Sequence, residues 1–318
     1  MISFWKTIDR KLLPLDNIEE NCWISMVNPD DVEIKRVTEA VGVDPSVLRA
    51  ALDEEETSYV DITDDGHTFI TLDIPFIEDS SKVMYSTIPL GIVLTKSNII
   101  TVCLKENSLL SEFERNPPRN LNTFVRTRFV LALMLRVANR FLQYLRQMNR
   151  ISDSIEERLY VSQKNKEIIE LLGIQKSLVF FSTSLKANKS TLDKILKGAA
   201  LKMTEDDTET LEDVLIEVHQ AIEMCSIYSD VLSGTMDAFA SMISNNLNVT
   251  MKTLTVIMIL MAIPTMVFSY YGMNLEPLSH LPFNDTAWFP FMLAVTMFLV
   301  AATLFFVAGY LKKHNFFK

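Results

Sequence analysis

Cysteine is scarce in this chain, and the few cysteines lie far apart. Cys22, Cys103 and Cys225 are odd in number and share no short spacing. They offer neither a disulfide framework nor the paired ligands of a metal site, so we expect the protein in a reducing compartment. The N-terminal segment 1–12 is basic but contains no apolar core segment, so the sequence predicts no cleavable secretion signal.

Motifs typical of enzymes are lacking as well. The stretch 91–97 has the sequence GIVLTKS and lacks the second glycine that a phosphate-binding loop requires. No nucleophile stands in a recognisable arrangement with a base, and the four histidines are isolated from one another along the chain. The sequence therefore predicts that the protein is not an enzyme, binds no ATP and needs no cofactor.

Positive charge is in deficit, and the deficit is confined to one segment. The chain has 30 Lys and Arg residues and 40 Asp and Glu residues, which gives a net charge of −10. This balance argues against a nucleic-acid partner and is compatible with handling cations. Residues 203–251 contain no Lys or Arg but ten acidic residues, and without those ten the remaining 30 acids balance the 30 bases. The ten are Glu205, Asp206, Asp207, Glu209, Glu212, Asp213, Glu217, Glu223, Asp230 and Asp237.

Charge of either sign is missing from two long apolar stretches, 253–275 and 286–311. Each exceeds the roughly 20 residues that cross about 30 Å of hydrocarbon, so we predict two transmembrane helices rather than buried soluble ones. The loop 276–285 between the two stretches holds no Lys or Arg. Lys252 precedes the first stretch, and the basic tail 312–318 follows the second. The positive-inside rule then predicts a multi-pass protein of the cell membrane with an extracellular loop and both termini in the cytoplasm.

The residues before these stretches are predicted to form a cytoplasmic α+β domain and then long helices. Within 1–118, a strand candidate at 23–27 and two hairpin patterns indicate four or five strands, and Asp30 and Asp44 are suitable helix N-caps. Apolar residues at helical spacing predict a hairpin of two long helices over 119–203. A coiled-coil signalling stalk is the alternative for that segment.

A single acidic stalk helix is predicted over 204–252, continuing into the first membrane span. No proline occurs between Pro118 and Pro264, so nothing in the backbone chemistry requires the helix to stop earlier. One face of this helix, selected by steps of three and four residues, carries only polar, small or thioether side chains. This polar seam consists of Asp230, Gly234, Asp237, Ser241, Ser244, Asn248, Met251, Thr255, Met258, Ala262, Thr265 and Ser269.

A polar seam inside an apolar span has two explanations. Several copies of the helix can surround a water-filled path, or the small residues can form a close-packed contact between helices. Asn248 and two aspartates favour the aqueous path. Because each chain has only two spans, a path of this kind requires several copies around an axis. Rings of amide and hydroxyl oxygens suit a hard, hydrated cation.

At the end of the first span the chain has the sequence Tyr271-Gly272-Met273-Asn274, followed by a short acidic loop and a second span with a Lys-rich tail. The segment 248–255, NVTMKTLT, completes the pattern. With this combination the chain resembles the CorA family of magnesium and cobalt transporters along its whole layout. The resemblance implies a funnel-shaped homopentamer in which the first span lines the pore and the second forms an outer ring in the lipid bilayer.

The resemblance also implies roles for individual residues, with Mg²⁺ as substrate and regulator. Asn274 would supply a ring of carbonyl oxygens at the outer mouth, Gly272 the tight turn and Met273 its packing. Asn248 would form a second polar ring, and Thr265 would contribute hydroxyl groups. Asp213 would belong to a regulatory metal site on the stalk, with a partner in the α/β domain that the sequence does not place, and Asp237 would lie on the pore face. The hydrophobic constriction would include Met251, Leu254, Met258 and Ala262.

Two other functions remain open at this point. A zinc-transporting branch of the same family tends to alter the middle residue of the Gly-Met-Asn motif, so Met273 favours magnesium. Co²⁺ and Ni²⁺ are further candidate ions. A membrane-anchored coiled-coil sensor that transports nothing is the alternative from a different class of protein.

Overall fold

The fold is described from a computed structural model that divides into two units, Met1–Thr235 and Met236–Lys318. Each unit is described by itself. The residues described are 1–63, 65–78, 85–119, 121–162, 165–198, 200–271, 294–298, 300–303, 305 and 309.

A seven-stranded mixed sheet forms the centre of the first unit. Its spatial order is β2-β1-β3-β7-β6-β5-β4, and neighbouring strands are antiparallel except for the parallel pair β3–β7. The two hairpins expected from the sequence are present as β4–β5 and β6–β7. The strands are β1 (Ile2–Ile8), β2 (Lys11–Leu15), β3 (Trp23–Val27), β4 (Tyr59–Ile62), β5 (Thr68–Ile77), β6 (Tyr85–Leu94) and β7 (Ile99–Cys103).

The expected number of four or five strands is too low, because the N-terminal hairpin β1–β2 gives little signal in the sequence. β2 lies at the edge of the sheet, contains Pro14 and is largely exposed, so it lacks the apolar alternation of a half-buried strand. Asp9 and Arg10 close the hairpin with positive φ angles of 50° and 64°. Neither residue is a glycine, so the turn is not marked by the usual residue type.

Six helices are described in the stretch from 31 to 271. The two predicted N-caps are confirmed. Asp30 accepts a hydrogen bond from the Glu33 backbone N–H at 2.7 Å in a capping box, and Asp44 accepts one from the Ser46 N–H at 2.8 Å. The helices are α1 (Asp31–Val41), α2 (Pro45–Ala50), α3 (Ser108–Arg115), α4 (Arg126–Ser162), α5 (Asn165–Leu196) and α6 (Glu205–Tyr271).

Aromatic packing joins the centre of the sheet to helices α3 and α4. Trp23 is fully buried on β3, and its ring centroid lies 5.7 Å from that of Phe113 and 5.1 Å from that of Phe129. Its indole N–H donates to the Thr101 hydroxyl at 2.9 Å, so the one polar atom of the ring is satisfied. Burial of this cluster therefore fixes the start of α4 against the sheet.

Gly91, the first residue of the GIVLTKS stretch, has a packing role. It lies in β6, and a Cβ atom there would be 2.3 Å from the Cβ atom of Ala51, the residue that ends α2. Only glycine allows this close approach of the helix to the sheet. The structure thus explains the glycine without a phosphate-binding role.

Helices α4 and α5 form the predicted antiparallel pair. Phe141 and Phe181 stack edge to face with centroids 4.9 Å apart, and Arg158 near the end of α4 pairs with Glu170 near the start of α5 at 2.7 Å. α5 also packs on β4, β5 and β6. The pair is therefore part of the sheet domain and does not form a separate coiled coil.

The face of α5 that meets the sheet is partly polar. Four residues at helical spacing, Ser177, Ser184, Asn188 and Thr191, are all buried. The Asn188 amide accepts from the Asp73 backbone N–H at 2.9 Å and donates to the Asp73 carbonyl at 2.8 Å. The pairing of β4 with β5 ends at Thr71. The Asn188 amide therefore gives Asp73 the hydrogen-bond partners that a neighbouring strand would supply.

We predict that Asn188→Ala destabilises the full-length protein by about 2 kcal/mol, because it leaves a buried N–H and C=O without partners. Thermal and urea unfolding in detergent, followed by circular dichroism, measures the effect. The control is Asn139→Ala on α4, since the exposed Asn139 amide donates to the Leu135 carbonyl of its own helix. Equal losses in the two variants would contradict the proposed bridging role.

Candidate ion path along helix α6

Helix α6 runs continuously for 67 residues, Glu205–Tyr271, and includes Pro264 in its interior. The predicted stalk helix and the start of the predicted first span are thus one helix. By length and composition two described helices could cross a membrane, Lys166–Leu196 and Glu205–Met266. Part of the first is buried in the sheet domain, whereas the apolar window of the second is entirely unburied. The second span is described only in part, and its described residues from 294 to 303 are helical.

A capping box and an ion pair hold the beginning of α6. Asp207, 4% exposed, accepts hydrogen bonds from the Thr204 N–H at 3.0 Å and the Thr204 hydroxyl at 2.8 Å. Arg128 of α4 contacts Asp207 at 3.2 Å and Asp206 at 3.0 Å. Burial alone would raise the pKa of the Asp207 carboxyl, but the bonds from Thr204 and Arg128 outweigh it and lower that pKa.

Two opposite faces of α6 have different character within the first unit. One face is buried and mostly apolar, and its residues recur every three or four positions. The other face is exposed and carries Asp213, Glu223 and Asp230. The sequence spacing alone separates these faces, because 3.6 residues make one turn. The buried face consists of Leu211, Val214, Val218, Ala221, Cys225 and Leu232.

All twelve residues of the polar seam are exposed in the single chain. Exposure does not distinguish the seam beyond residue 236, because apolar residues such as Ile257 and Met261 are exposed there too. Its hydroxyl groups bond in the same way as those of Thr250 and Thr253 outside the seam, which also donate to the carbonyl four residues earlier. The hydroxyls of Ser241, Thr255 and Thr265 each donate to the carbonyl four residues earlier, at 3.0, 2.8 and 2.8 Å. Each donor is thereby used within the helix, and the oxygen lone pairs remain free to accept.

The remaining predicted residues are placed as follows. Asp213 is exposed on α6, and the described part of the chain contains no group of three or more His, Cys, Asp or Glu residues able to hold a metal ion. Leu254, at the edge of the seam, is 49% exposed. Gly272, Met273 and Asn274 lie outside the described residues. Sequence reasoning missed Arg128, although Thr204 and Asp207 match the spacing of a capping box.

A long helix with a polar seam in an apolar region, preceded by a sheet-and-helix domain, defines an α-helical membrane protein. The chain belongs to the family described as CorA-like Mg²⁺ transporter protein, whose model matches residues 19–313. This is a family of transporters and not of enzymes, as the sequence predicted. The resemblance stated above and the α+β fold followed by long helices are therefore confirmed.

Individual relatives share both sequence and fold with this chain. The cobalt/magnesium transport protein CorA of Methanocaldococcus jannaschii is 26% identical over 296 residues, which are 91% of each chain. The protein of the same name from Thermotoga maritima is 22% identical over 92% of this chain and 83% of its own length. The complete structure of the CorA magnesium transporter from M. jannaschii superimposes with a TM-score of 0.82 at 23% identity and covers 96% of each chain.

We predict that Asp207→Asn destabilises the full-length protein by about 2 kcal/mol at pH 7, because it weakens the cap and the Arg128 pair. The folded pKa of Asp207 lies below its unfolded value. Its stabilisation is therefore complete above the unfolded pKa and is lost as the pH falls through the folded pKa. Thermal unfolding of wild type and variant from pH 7 to pH 3 measures the difference, which should shrink at the acidic end.

Asp206→Asn is the matched control, because Asp206 pairs with the same arginine while its side chain is 81% exposed. An exposed pair contributes only about 0.2–1 kcal/mol, so this variant should change stability little. A difference for Asp207→Asn that stays constant over the pH range would contradict the role assigned to its charge.

Proposed function

We propose that the protein transports divalent cations across the cell membrane, with Mg²⁺ as the main ion and Co²⁺ and Ni²⁺ as further substrates. The carrying observation is the polar seam of α6, in which the hydroxyl groups of Ser241, Thr255 and Thr265 donate within the helix. Its oxygens can therefore accept hydrogen bonds from the water shell of a cation. The family membership and the names of the two relatives support the same class of substrate.

The pore is formed by five copies of the chain with their seams toward a common axis. A single α6 helix cannot enclose its own seam. Several copies together can enclose a water-filled path. Both termini lie in the cytoplasm, and the segment 276–285 lies outside. The second span, 286–311, surrounds the pore helices and faces the lipid.

Residues of the seam and of the segment that follows it act one after another on the ion. Asn274 at the outer mouth and Asn248 near the inner end form rings of amide oxygens, and Thr265 adds hydroxyl groups. Gly272 and Met273 shape the mouth. Met251, Leu254, Met258 and Ala262 include the apolar constriction, which can close the path by excluding water.

The hydration of Mg²⁺ explains why oxygen acceptors suffice. This ion holds its water tightly and dehydrates reluctantly. A path that accepts hydrogen bonds from the hydrated ion avoids most of the dehydration cost. The membrane potential supplies the driving force, because two charges moving inward gain about 4.6 kcal/mol per 100 mV. No ATP is needed.

We predict that purified protein in liposomes takes up Mg²⁺ and that Asn274→Ala reduces this uptake at least about tenfold, because the outer ring of amide oxygens is lost. The assay compares Mg²⁺, Co²⁺, Ni²⁺ and Zn²⁺ at two external pH values. Asn139→Ala, whose amide bonds within α4, is the control. Undiminished uptake by Asn274→Ala would refute the role of the mouth.

The same assay separates the other two functions. A non-transporting sensor would give no uptake of any ion by the wild type. A zinc transporter of the same family would carry Zn²⁺ in preference to Mg²⁺, with a dependence on pH if proton flow is coupled to it.

We also propose that internal Mg²⁺ closes the pore by binding to the acidic stalk helices. Five copies bring about fifty carboxylates of 203–251 together, ten from each chain. Their mutual repulsion favours separation of the subunits, and bound Mg²⁺ offsets it. Asp213 holds the regulatory ion, and Asp237 faces the path. At low internal Mg²⁺ the bridge is lost and the subunits move apart.

We predict that Asp213→Asn weakens inhibition by internal Mg²⁺, because it removes a carboxylate from the regulatory site. Flux into liposomes loaded with increasing Mg²⁺ concentrations measures the half-inhibiting concentration, which should rise about tenfold. Glu212→Gln is the control, since it removes the same charge from the neighbouring exposed position. Unchanged inhibition in Asp213→Asn, or an equal change in both variants, would refute the assignment.

A further inference from the structure

A pocket of about 310 Å³ lies beside the start of α6 in the first unit. The connection between α3 and α4, the first turns of α4 and the first turns of α6 surround it. Its apolar lining comes from one side of α4 and consists of Leu131, Ala132 and Leu135. Its charged lining includes Arg119 and Arg128. The pocket therefore combines an apolar surface with cationic groups, as a site for an amphiphilic anion requires.

The charges in the segment that supplies most of this pocket are unusual for an acidic chain. Residues 115–152 contain eight arginines, no lysine and no acidic residue, although the whole chain has a net charge of −10. Arginine presents a planar fork of donors that can bind a phosphate or a carboxylate through two parallel hydrogen bonds, whereas lysine acts as a point charge. The composition of this segment is therefore suited to binding an oxyanion.

The two arginines that line the pocket have hydrogen-bond donors available for a ligand. Arg119 is exposed, and no ion pair among the described residues involves it. Arg128 donates from Nε to Asp207 at 3.2 Å and from Nη2 to Asp206 at 3.0 Å. A guanidinium group has five N–H donors, so Arg128 can hold its two carboxylates and still donate to a ligand.

Asp206 is the one acidic residue among the described residues that line the pocket. Its side chain is 81% exposed, and an ion pair as exposed as this one stabilises a protein only weakly. A ligand with more negative charge can therefore displace Asp206 from Arg128. Asp207 is buried and also accepts from Thr204, so it keeps its place and holds the arginine beside the pocket.

Two further groups add hydrogen-bond donors around the pocket. The side-chain oxygen of Asn122, which lines the pocket, accepts from the Phe124 N–H at 3.0 Å, so the amide NH₂ group can donate to a ligand. Arg136 donates to the Asn116 carbonyl at 3.1 Å, which places a third guanidinium group beside the connection between α3 and α4. These groups favour a ligand that is rich in acceptor oxygens.

We propose that this pocket binds a small phosphate monoester whose organic part is apolar. The phosphate accepts hydrogen bonds from Arg119 and Arg128 and takes the place of the Asp206 carboxylate, while the apolar part packs on Leu131 and Leu135. A phosphate monoester carries about −1.5 to −2 charges at pH 7 and has three terminal oxygens, so it can pair with two guanidinium groups at once. The bound ligand joins the connection between α3 and α4 to the first turns of α6.

Isothermal titration calorimetry on the full-length protein in detergent tests this site. The probe is phenyl phosphate, in a buffer with EDTA and no added Mg²⁺. It should bind at least about tenfold more tightly than inorganic phosphate, which lacks the apolar part, and than benzoate, which has a single negative charge. Absence of binding, or binding of phenyl phosphate no tighter than that of either comparison compound, would overturn the proposal.

Two substitutions at the pocket have opposite expected effects on the Kd for phenyl phosphate. Arg119→Gln removes donors and should raise the Kd at least about tenfold, whereas Asp206→Asn removes the competing carboxylate and should lower it about threefold. The matched control is Arg146→Gln, an exposed arginine of α4 that does not line the pocket, which should leave the Kd within about twofold.

Equal weakening by Arg119→Gln and Arg146→Gln would show a general charge effect and would contradict the site. Weaker binding to Asp206→Asn would contradict the displacement of that carboxylate. Because the measurement is binding and not ion flux, a protein that transports cations but fails these tests refutes only the phosphate site, and its outcome does not depend on the proposed function.

Discussion

Helix α6 must satisfy different surroundings along its length, and this constraint explains much of the sequence. Its first part buries Leu211, Val218 and Cys225 in the sheet domain and leaves acids on the opposite face. Its last part is apolar on most sides and keeps a seam of polar and small residues. One helical period carries both patterns, so a single-residue insertion would rotate the seam by about 100° relative to the buried face.

Local signals in the sequence predicted much of the sheet domain. Asp30 and Asp44 were identifiable as caps because their side chains bond to N–H groups two or three residues away. The β4–β5 and β6–β7 hairpins were identifiable from their turns. The bond of Asn188 to Asp73 joins residues 115 positions apart, and no local pattern distinguishes that asparagine from an exposed one. Contacts of this kind depend on the packed structure, which composition and spacing do not contain.

For the candidate site, too, the sequence predicts one part and misses another. The seam follows from the spacing of polar residues, since helical geometry alone places them on one face. The anchoring of α6 by Arg128 cannot be predicted from spacing, because Arg128 precedes Asp207 by 79 positions and lies on a different helix. The burial of Asp207 also required the structure. Ten acidic residues in one segment suggest a uniformly solvated surface. Asp207 is nevertheless buried, whereas other acids of α6, such as Asp206 and Asp213, are exposed.

The hydrogen-bonding groups of the seam are mostly acceptors. Ser241, Thr255 and Thr265 present lone pairs outward because their protons are bonded to the helix backbone. The aspartates accept only, and Asn248 supplies the one side-chain amide donor of the seam. Eight of the twelve seam residues carry a side-chain oxygen. In the proposed pore, a hydrated cation would offer these acceptors its water protons, which an anion cannot do. In the proposed pore, the seam would therefore favour cations over anions by the sign of its charge and by its acceptors.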